Sequence, residues 1–475
     1  MARELSQRQL AWLIGLAALT GLVLRTAAAP GLSLQEVETL DSARLPFGSL
    51  ITHIVDRGVH PPLQPVLVWF AVHLFGYGSF SARLPSLVAG ILLVPAVARL
   101  SAQMFDRRTT VVAALLAAVA PILVWYSQDV SGYELAALFG TLSLTEALRA
   151  TRTGAIRAWA LYAVWASLAV WSDWSGWFVV IASQVLIAAE VAWQRQNRVA
   201  LRRLLTGWGG SMAALACQFV ALGVLLADQI QAQGGLQGVA TVGASGVSFY
   251  SAVSNFAWAL FGFHPDAVTS GVAAVWPLAM LASLVLIGRN LGPRGRVLLV
   301  CALIPAVGTL VLGLIAPGAF DVRYGLVGIP PLLVLAANAV TSWPRSQLGR
   351  VLTAAGLVVI LLGALADQQL DPANPRRYDF ASAFQQIKRQ ARPASEVLLE
   401  PGALRLMAQR DAPRLRTAAL TRTLPTRASN VFVVTSFTGH GSLWRLRNRE
   451  IGALRATRHL ISRRSYPGVQ VWWFR

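Results

Sequence analysis

Long apolar runs alternate along this chain with short polar stretches of changing character. Residues 9–29 are apolar and follow Arg3 and Arg8. A helix needs about twenty such residues to cross the hydrocarbon core of a bilayer. No small-residue cleavage site marks a removable leader, so the run reads as an uncleaved first span with a cytoplasmic amino end. Ten more spans are predicted at 81–100, 111–126, 133–148, 158–171, 174–193, 205–227, 268–287, 297–315, 324–340 and 351–365. A Gly/Gln-rich loop before residue 268 has room for a short surface helix near 248–261.

The run Leu63 to Phe75 is different. As a helix it would reach only about 20 Å, short of a core about 30 Å thick. His73 interrupts it, and Pro61-Pro62 suits a helix start, where a missing backbone donor costs nothing. It reads as a helix lying at the outer interface.

Charge then sets the register. Arginines gather in every second loop: Arg99, Arg107 and Arg108; Arg149 and Arg152; Arg195, Arg198, Arg202 and Arg203; Arg289, Arg294 and Arg296; Arg345 and Arg350. These are the loops an eleven-span chain with a cytoplasmic amino end keeps in the cytoplasm. Glu36, Glu38, Asp41, Asp129, Asp173, Asp228, Asp266 and Asp321 collect on the opposite side. A twelfth span at 63–75 would put Arg107 and Arg108 outside and Asp129 inside, breaking both patterns.

From about Asp367 the pattern shortens. A helical stretch at 378–390 and β-like runs at 397–399, 431–435 and 469–474 predict a small α/β domain on the outer face. The expected organisation is a transmembrane domain over 1–366, with an outer-face loop at 30–80, and a basic soluble domain over 367–475. Arg376, Arg377, Arg389, Arg392, Arg445, Arg447, Arg449, Arg463 and Arg464 contribute to its charge. That surface either meets an anionic partner such as lipid head groups or only keeps the domain in solution.

Composition sharpens the class. The chain is 55% hydrophobic and 13% charged, against about 25% charged in soluble domains, and its mean hydropathy is +0.55. A soluble globule is excluded for most of the chain. The net charge of +20 comes with no nucleic-acid motif. Cys217 and Cys301 fall inside apolar runs and suggest neither a disulfide nor a metal cluster.

The candidate chemistry gathers in the first polar interruption, Pro30 to Leu74. It holds Glu36, Glu38, Asp41, Arg44, His53, Asp56, Arg57 and His60-Pro61-Pro62-Leu63. Transfer from a lipid-phosphate sugar needs a base for an acceptor hydroxyl and cations for the departing phosphate, held at the bilayer surface. Glu36 is the first candidate base, Glu38 the second, and Asp129 could orient the acceptor or a cation. Arg57, His60, Arg83 and Arg323 are candidate phosphate contacts. Five of these have a plainer alternative: solvated loop acids for Glu36 and Glu38, a helix-end acid for Asp129, a snorkelling cation for Arg83, a turn cap for His60. Asp173 reads as a polar loop acid that could bound the same cavity. No zinc-type spacing appears; a divalent cation on the outer acids is allowed but has no motif behind it.

Several of these stretches resemble the GT-C fold glycosyltransferases, polytopic enzymes that use polyprenyl-phosphate sugars and include protein O-mannosyltransferases and lipid A aminoarabinose transferases. The resemblance rests on Leu34-Gln35-Glu36-Val37-Glu38-Thr39, His60-Pro61-Pro62-Leu63, Arg83-Leu84-Pro85-Ser86, Tyr126-Ser127-Gln128-Asp129-Val130-Ser131-Gly132-Tyr133, and Arg323-Tyr324 before Pro330. It covers the first 150 residues best. It implies an inverting transferase in the inner membrane, moving a sugar from a polyprenyl-phosphate carrier to a glycan, lipid or protein acceptor at the outer face. Membrane lipid is the surrounding partner and nucleic acid is not one. Two positions depart: Gln35 stands where the family tends to carry its catalytic aspartate, and Ser131 where it carries an arginine. A catalytically degenerate homologue is therefore one alternative. A lipid-linked sugar transporter is the other, and would want ionisable groups near the middle of spans.

Overall fold

The computed structural model describes residues 5–27, 31–58, 60–232, 291–315, 321–343, 346–370, 378–393, 395–400, 402–420, 430–436 and 442–475, with positions 235, 260, 288 and 428. The expected span at 268–287 and the surface helix near 248–261 lie outside the described residues. The chain forms two compact units, residues 1–28 with 42–369 and residues 29–41 with 370–475. The stretch 29–41, expected within the outer-face loop of the membrane domain, thus groups with the carboxyl-terminal residues.

The first unit is helical: α1 (Gln7–Thr26), α3 (Phe47–Arg57), α4 (Leu63–Phe75), α5 (Ser79–Met104), α6 (Arg107–Val119), α7 (Pro121–Ser127), α8 (Tyr133–Thr153), α9 (Ile156–Ser172), α10 (Gly176–Gln194), α11 (Arg198–Ala232), α12 (Pro293–Ile315), a 3₁₀ turn (Val322–Gly328) running into α13 (Ile329–Ser342), and α14 (Gln347–Leu370). Among the described residues seven helices are long and apolar enough to cross a membrane, or eight if α6 and α7 form one bent span. This is a multi-pass membrane protein. The short apolar helix at Leu63–Phe75 has the bounds its sequence predicts.

Within hydrocarbon, helices associate through close packing more than through the hydrophobic effect, so small side chains belong at the contacts. The core obeys this: Ala113, Ala114, Ala117 and Ala118 of α6, Ala136 and Ala137 of α8 and Ala166 and Ala169 of α9 are all buried. The outward faces carry large apolar groups instead, such as Leu19, Val220, Val359 and Ile360.

The span expected at 111–126 is broken. In an unbroken helix the Ala117 carbonyl would accept from residue 121, but Pro121 has no N–H. The axis turns by 54° between α6 and α7. Arg25, buried near the end of α1, supplies donors there, Nη2 to the Ala117 carbonyl at 3.2 Å and Nη1 to that of Ala118 at 2.9 Å.

The second unit holds α2 (Leu34–Ser42, up to Asp41 by contacts) and the carboxyl-terminal α/β domain. Its elements are α15 (Phe380–Gln390), β1 (Ser395–Glu400), α16 (Arg405–Asp411), β2 (Arg416–Ala419), β3 (Asn430–Ser436), α17 (Ser442–Thr457), β4 (Leu460–Tyr466) and β5 (Val469–Phe474). The sheet order is β2-β1-β3-β5-β4. β2, β1 and β3 run parallel, while β5 lies antiparallel to β3 and to β4. Alternation sorts the faces: Val431, Val433, Trp472 and Phe474 form one core with Ile451 and Leu454 of α17. A Cβ on Gly31 would overlap the Tyr378 carbonyl, so only glycine lets the 29–41 segment pass this close to the domain.

Candidate functional site

Helix ends in the first unit bring an aromatic and ionisable cluster together. Asp321 caps the 3₁₀ turn: its Oδ1 accepts from the Arg323 backbone N–H at 3.0 Å, while Oδ2 lies 3.0 Å from Arg323 Nε. One carboxylate thus shapes the backbone and holds the guanidinium. Arg323 Cζ then stands 5.4 Å from the centroid of the Tyr133 ring and 5.8 Å from that of Tyr324. Tyr133 meets Tyr324 at 6.1 Å and Tyr126 at 5.5 Å, both edge to face. Edge-to-face packing and a cation over ring faces are each worth about 1 kcal/mol, enough to hold one orientation.

His60 approaches from the other side. Its ring lies 6.1 Å from Tyr133, edge to face, and its Nδ1 is 3.5 Å from Asp173 Oδ2. Asp173 is buried in the turn between α9 and α10, where Oδ1 accepts from the Ser175 N–H at 2.8 Å. The His60 carbonyl is itself fixed, accepting from Gln229 Nε2 at 3.1 Å, near the end of α11. Gly132 closes the arrangement: a Cβ there would collide with the Ser172 carbonyl, so the chain before Tyr133 lies flat against the Asp173 turn. The Ser131 carbonyl accepts from Ser86 Oγ at 2.9 Å.

Of the residues expected from sequence, His60 and Arg323 enter this cluster, Tyr133 lying between them. Asp129 is half-buried on the 128–132 loop that leads into Tyr133. Arg83 is buried early in α5. Arg57 ends α3, and its side chain is outside what the structure describes.

Glu36 and Glu38 belong to the second unit. Glu36 is buried and forms a capping box with Ser33: Glu36 Oε2 accepts from the Ser33 N–H at 2.7 Å, and Ser33 Oγ from the Glu36 N–H at 3.3 Å. Glu38 is exposed. Among the described residues, no three His, Cys, Asp or Glu side chains group as metal ligands.

Asp173 carries more of the geometry than its sequence reading as a loop acid suggests. The Ser33-Leu34-Gln35-Glu36 capping signature was present in the sequence. The role of Arg25 had no local signal, because it lies within an apolar run and finds its partners far along the chain.

The described helices and the small sheet domain agree with the GT-C fold that the sequence motifs imply. Residues 59–219 match the family described as dolichyl-phosphate-mannose-protein mannosyltransferase. The fold is similar to that of the oligosaccharyltransferase AglB from Archaeoglobus fulgidus in complex with an inhibitory peptide and a dolichol-phosphate, with a TM-score of 0.51 and 14% identity over 90% of this chain and 69% of that one. It is also similar to ArnT from Cupriavidus metallidurans bound to undecaprenyl phosphate, with a TM-score of 0.50 and 12% identity over 99% of this chain and 98% of that one. No curated protein sequence matches the chain. The chain thus shares the fold of these structures, the GT-C fold that its motifs imply.

Proposed function

We propose that the protein is a glycosyltransferase that moves a sugar from a polyprenyl-phosphate carrier to an acceptor hydroxyl at the outer face of an inner membrane. The observation that carries this reading is the Arg323 guanidinium, held by Asp321 against Tyr133 and Tyr324 beside the His60–Asp173 pair. A fixed guanidinium suits phosphate oxygens, and an imidazole beside a buried carboxylate can take up or deliver a proton. In the reaction the anomeric carbon leaves the carrier phosphate and bonds to the acceptor oxygen, whose proton passes to a base. Negative charge grows on the phosphate as the bond breaks, and Arg323 is placed to meet it.

Two acids are candidates for the base. Glu36 is favoured by its place beside Gln35 in the stretch that resembles the family's acid pair, and an inverting transfer is what that resemblance implies; Asp173 is favoured by its pairing with His60. Asp129 is the candidate acceptor contact, and Arg83 and Arg57 are further phosphate contacts. The transporter reading is less well supported, since Glu134, Glu146 and Glu190 lie within about two turns of a helix end. The last two sit against Arg99 and Arg294, an arrangement that suits fastening.

The test is direct. Purified full-length protein is incubated with radiolabelled polyprenyl-phosphate sugars and candidate acceptors, and the release of polyprenyl phosphate is measured. Release that depends on acceptor and is lost in Arg323→Ala supports the reading; no release with any such donor overturns it.

A further inference from the structure

Arg25 lies far along the chain from Ala117, Ala118 and Glu134, yet meets the first two by hydrogen bonds and flanks the same glycine as the third. Arg25 is 2% exposed and Glu134 is fully buried. A Cβ added to Gly90 would lie 2.9 Å from Arg25 Nε and 3.1 Å from Glu134 Oε1, so both groups flank the same glycine and their charges attract. A Cβ there would also lie 2.5 Å from Ser127 Cβ, so a larger residue than glycine has no room. Arg25 also uses its backbone: its carbonyl accepts from Gln128 Nε2 at 3.0 Å, and Gln128 Oε1 accepts from Gln369 Nε2 of α14 at 3.0 Å.

One residue therefore reaches three parts of the same feature. Its guanidinium occupies the Ala117 and Ala118 carbonyls before the break, its carbonyl holds Gln128 just after α7, and its charge faces Glu134 in the first turn of α8. Between α7 and α8 runs the 128–132 loop, with Tyr126 just before it and Tyr133 just after it.

We propose that Arg25 is a positioning residue: it replaces the backbone donor that Pro121 lacks, fixes the angle of the broken span, and so aims Tyr126 and Tyr133 at Arg323. The proposal rests on the reading of the Arg323 cluster as the donor-phosphate site. A guanidinium is needed because two carbonyls are served by one planar fork, which an ammonium cannot reproduce. Glu134 is needed because a lone buried cation would be expensive.

The test uses full-length protein in nanodiscs and a cycle of variants. Arg25→Met with Glu134→Gln removes both charges together, so no unpaired ion is left behind. It should lower the melting temperature. Pro121→Ala restores the missing N–H, and in that background the loss caused by Arg25→Met/Glu134→Gln should shrink to less than half. Additive losses would mean that Arg25 does not stand in for the Pro121 donor, and would overturn the proposal.

Kinetics separate aiming from mere stability. Arg25→Met/Glu134→Gln should raise the donor KM at least fivefold and leave the acceptor KM unchanged. Arg25→Lys, which keeps the charge but loses the fork, should shift the donor KM in the same direction. A lower maximal rate at unchanged donor KM would show only fewer folded molecules and count against the proposal. If wild-type protein transfers no sugar, the donor reading falls, and the thermal cycle still decides whether Arg25 serves the break.

Discussion

The His60 imidazole meets the buried Asp173 carboxylate at 3.5 Å, although they are 113 positions apart and only Asp173 is shielded from water. The pairing joins the stretch before α4 to the α9–α10 turn. Asp173→Asn keeps an oxygen for the Ser175 N–H but removes the charge facing His60. If the pair handles the acceptor proton, transfer should fall by about 10² or more with little change in melting temperature. Wild-type rates from Asp173→Asn would reduce the pair to a structural fastening.

Glu36→Gln offers a clean comparison, because glutamine at the third helical position still completes a capping box with Ser33. Stability should hold while transfer drops by about 10² if Glu36 is the base. Glu36→Ala should also lose the cap, at a cost of about 1 kcal/mol in thermal unfolding. The exposed Glu38, changed to Gln, should cost much less. Loss on Glu38→Gln or Asp129→Asn with full activity in Glu36→Gln would assign the base elsewhere.

Arg323→Lys keeps a positive charge but loses the planar group that lies over Tyr133 and Tyr324. Binding of a polyprenyl phosphate, followed by tryptophan fluorescence, should weaken by about tenfold, the scale of one charge-assisted hydrogen bond. Unchanged affinity would remove Arg323 from the donor site.

Gly132→Ala pushes a methyl group into the Ser172 carbonyl, which is backbone and cannot swing aside. Destabilisation of about 1–3 kcal/mol, the usual cost of overpacking, should appear as reduced detergent-extracted yield and a lower melting temperature. A Gly15→Ala control, where nothing lies within 4 Å, should be neutral.

Orientation has its own measurement. A reporter fused after Asp371 should read as extracytoplasmic if eleven spans begin in the cytoplasm. A cytoplasmic signal would remove that topology and the outer-face position of Asp129.

Local signals made much of this architecture readable. Apolar length placed α1, α5, α10 and α12 close to their observed bounds, and helix Leu63–Phe75 and strand Val469–Phe474 matched their sequence patterns. Pro121 broke the expected third span because the loss of one N–H acts locally, while its replacement by Arg25 depends on packing across 92 positions. The strands β2 (Arg-Thr-Ala-Ala) and β4 escaped notice for another reason: both are edge strands, half polar, and are specified by their neighbours more than by alternation. In the site, motif position pointed to His60, Tyr133 and Arg323, and Asp173 was readable as an acid that could bound the same cavity, but nothing local could show that it would pair with His60.

The interior place of β5 sets an order of events in the making of the sheet domain. β5 is the last of the five strands along the chain, yet it pairs with β3 on one side and β4 on the other. Until residues 469–474 have been delivered, β4 lacks its neighbour and β3 presents an open apolar edge of the kind that recruits foreign strands. The sheet therefore closes only once β4 and β5 are both present, and a domain still lacking β5 is the form most exposed to misassembly and to surveillance by chaperones.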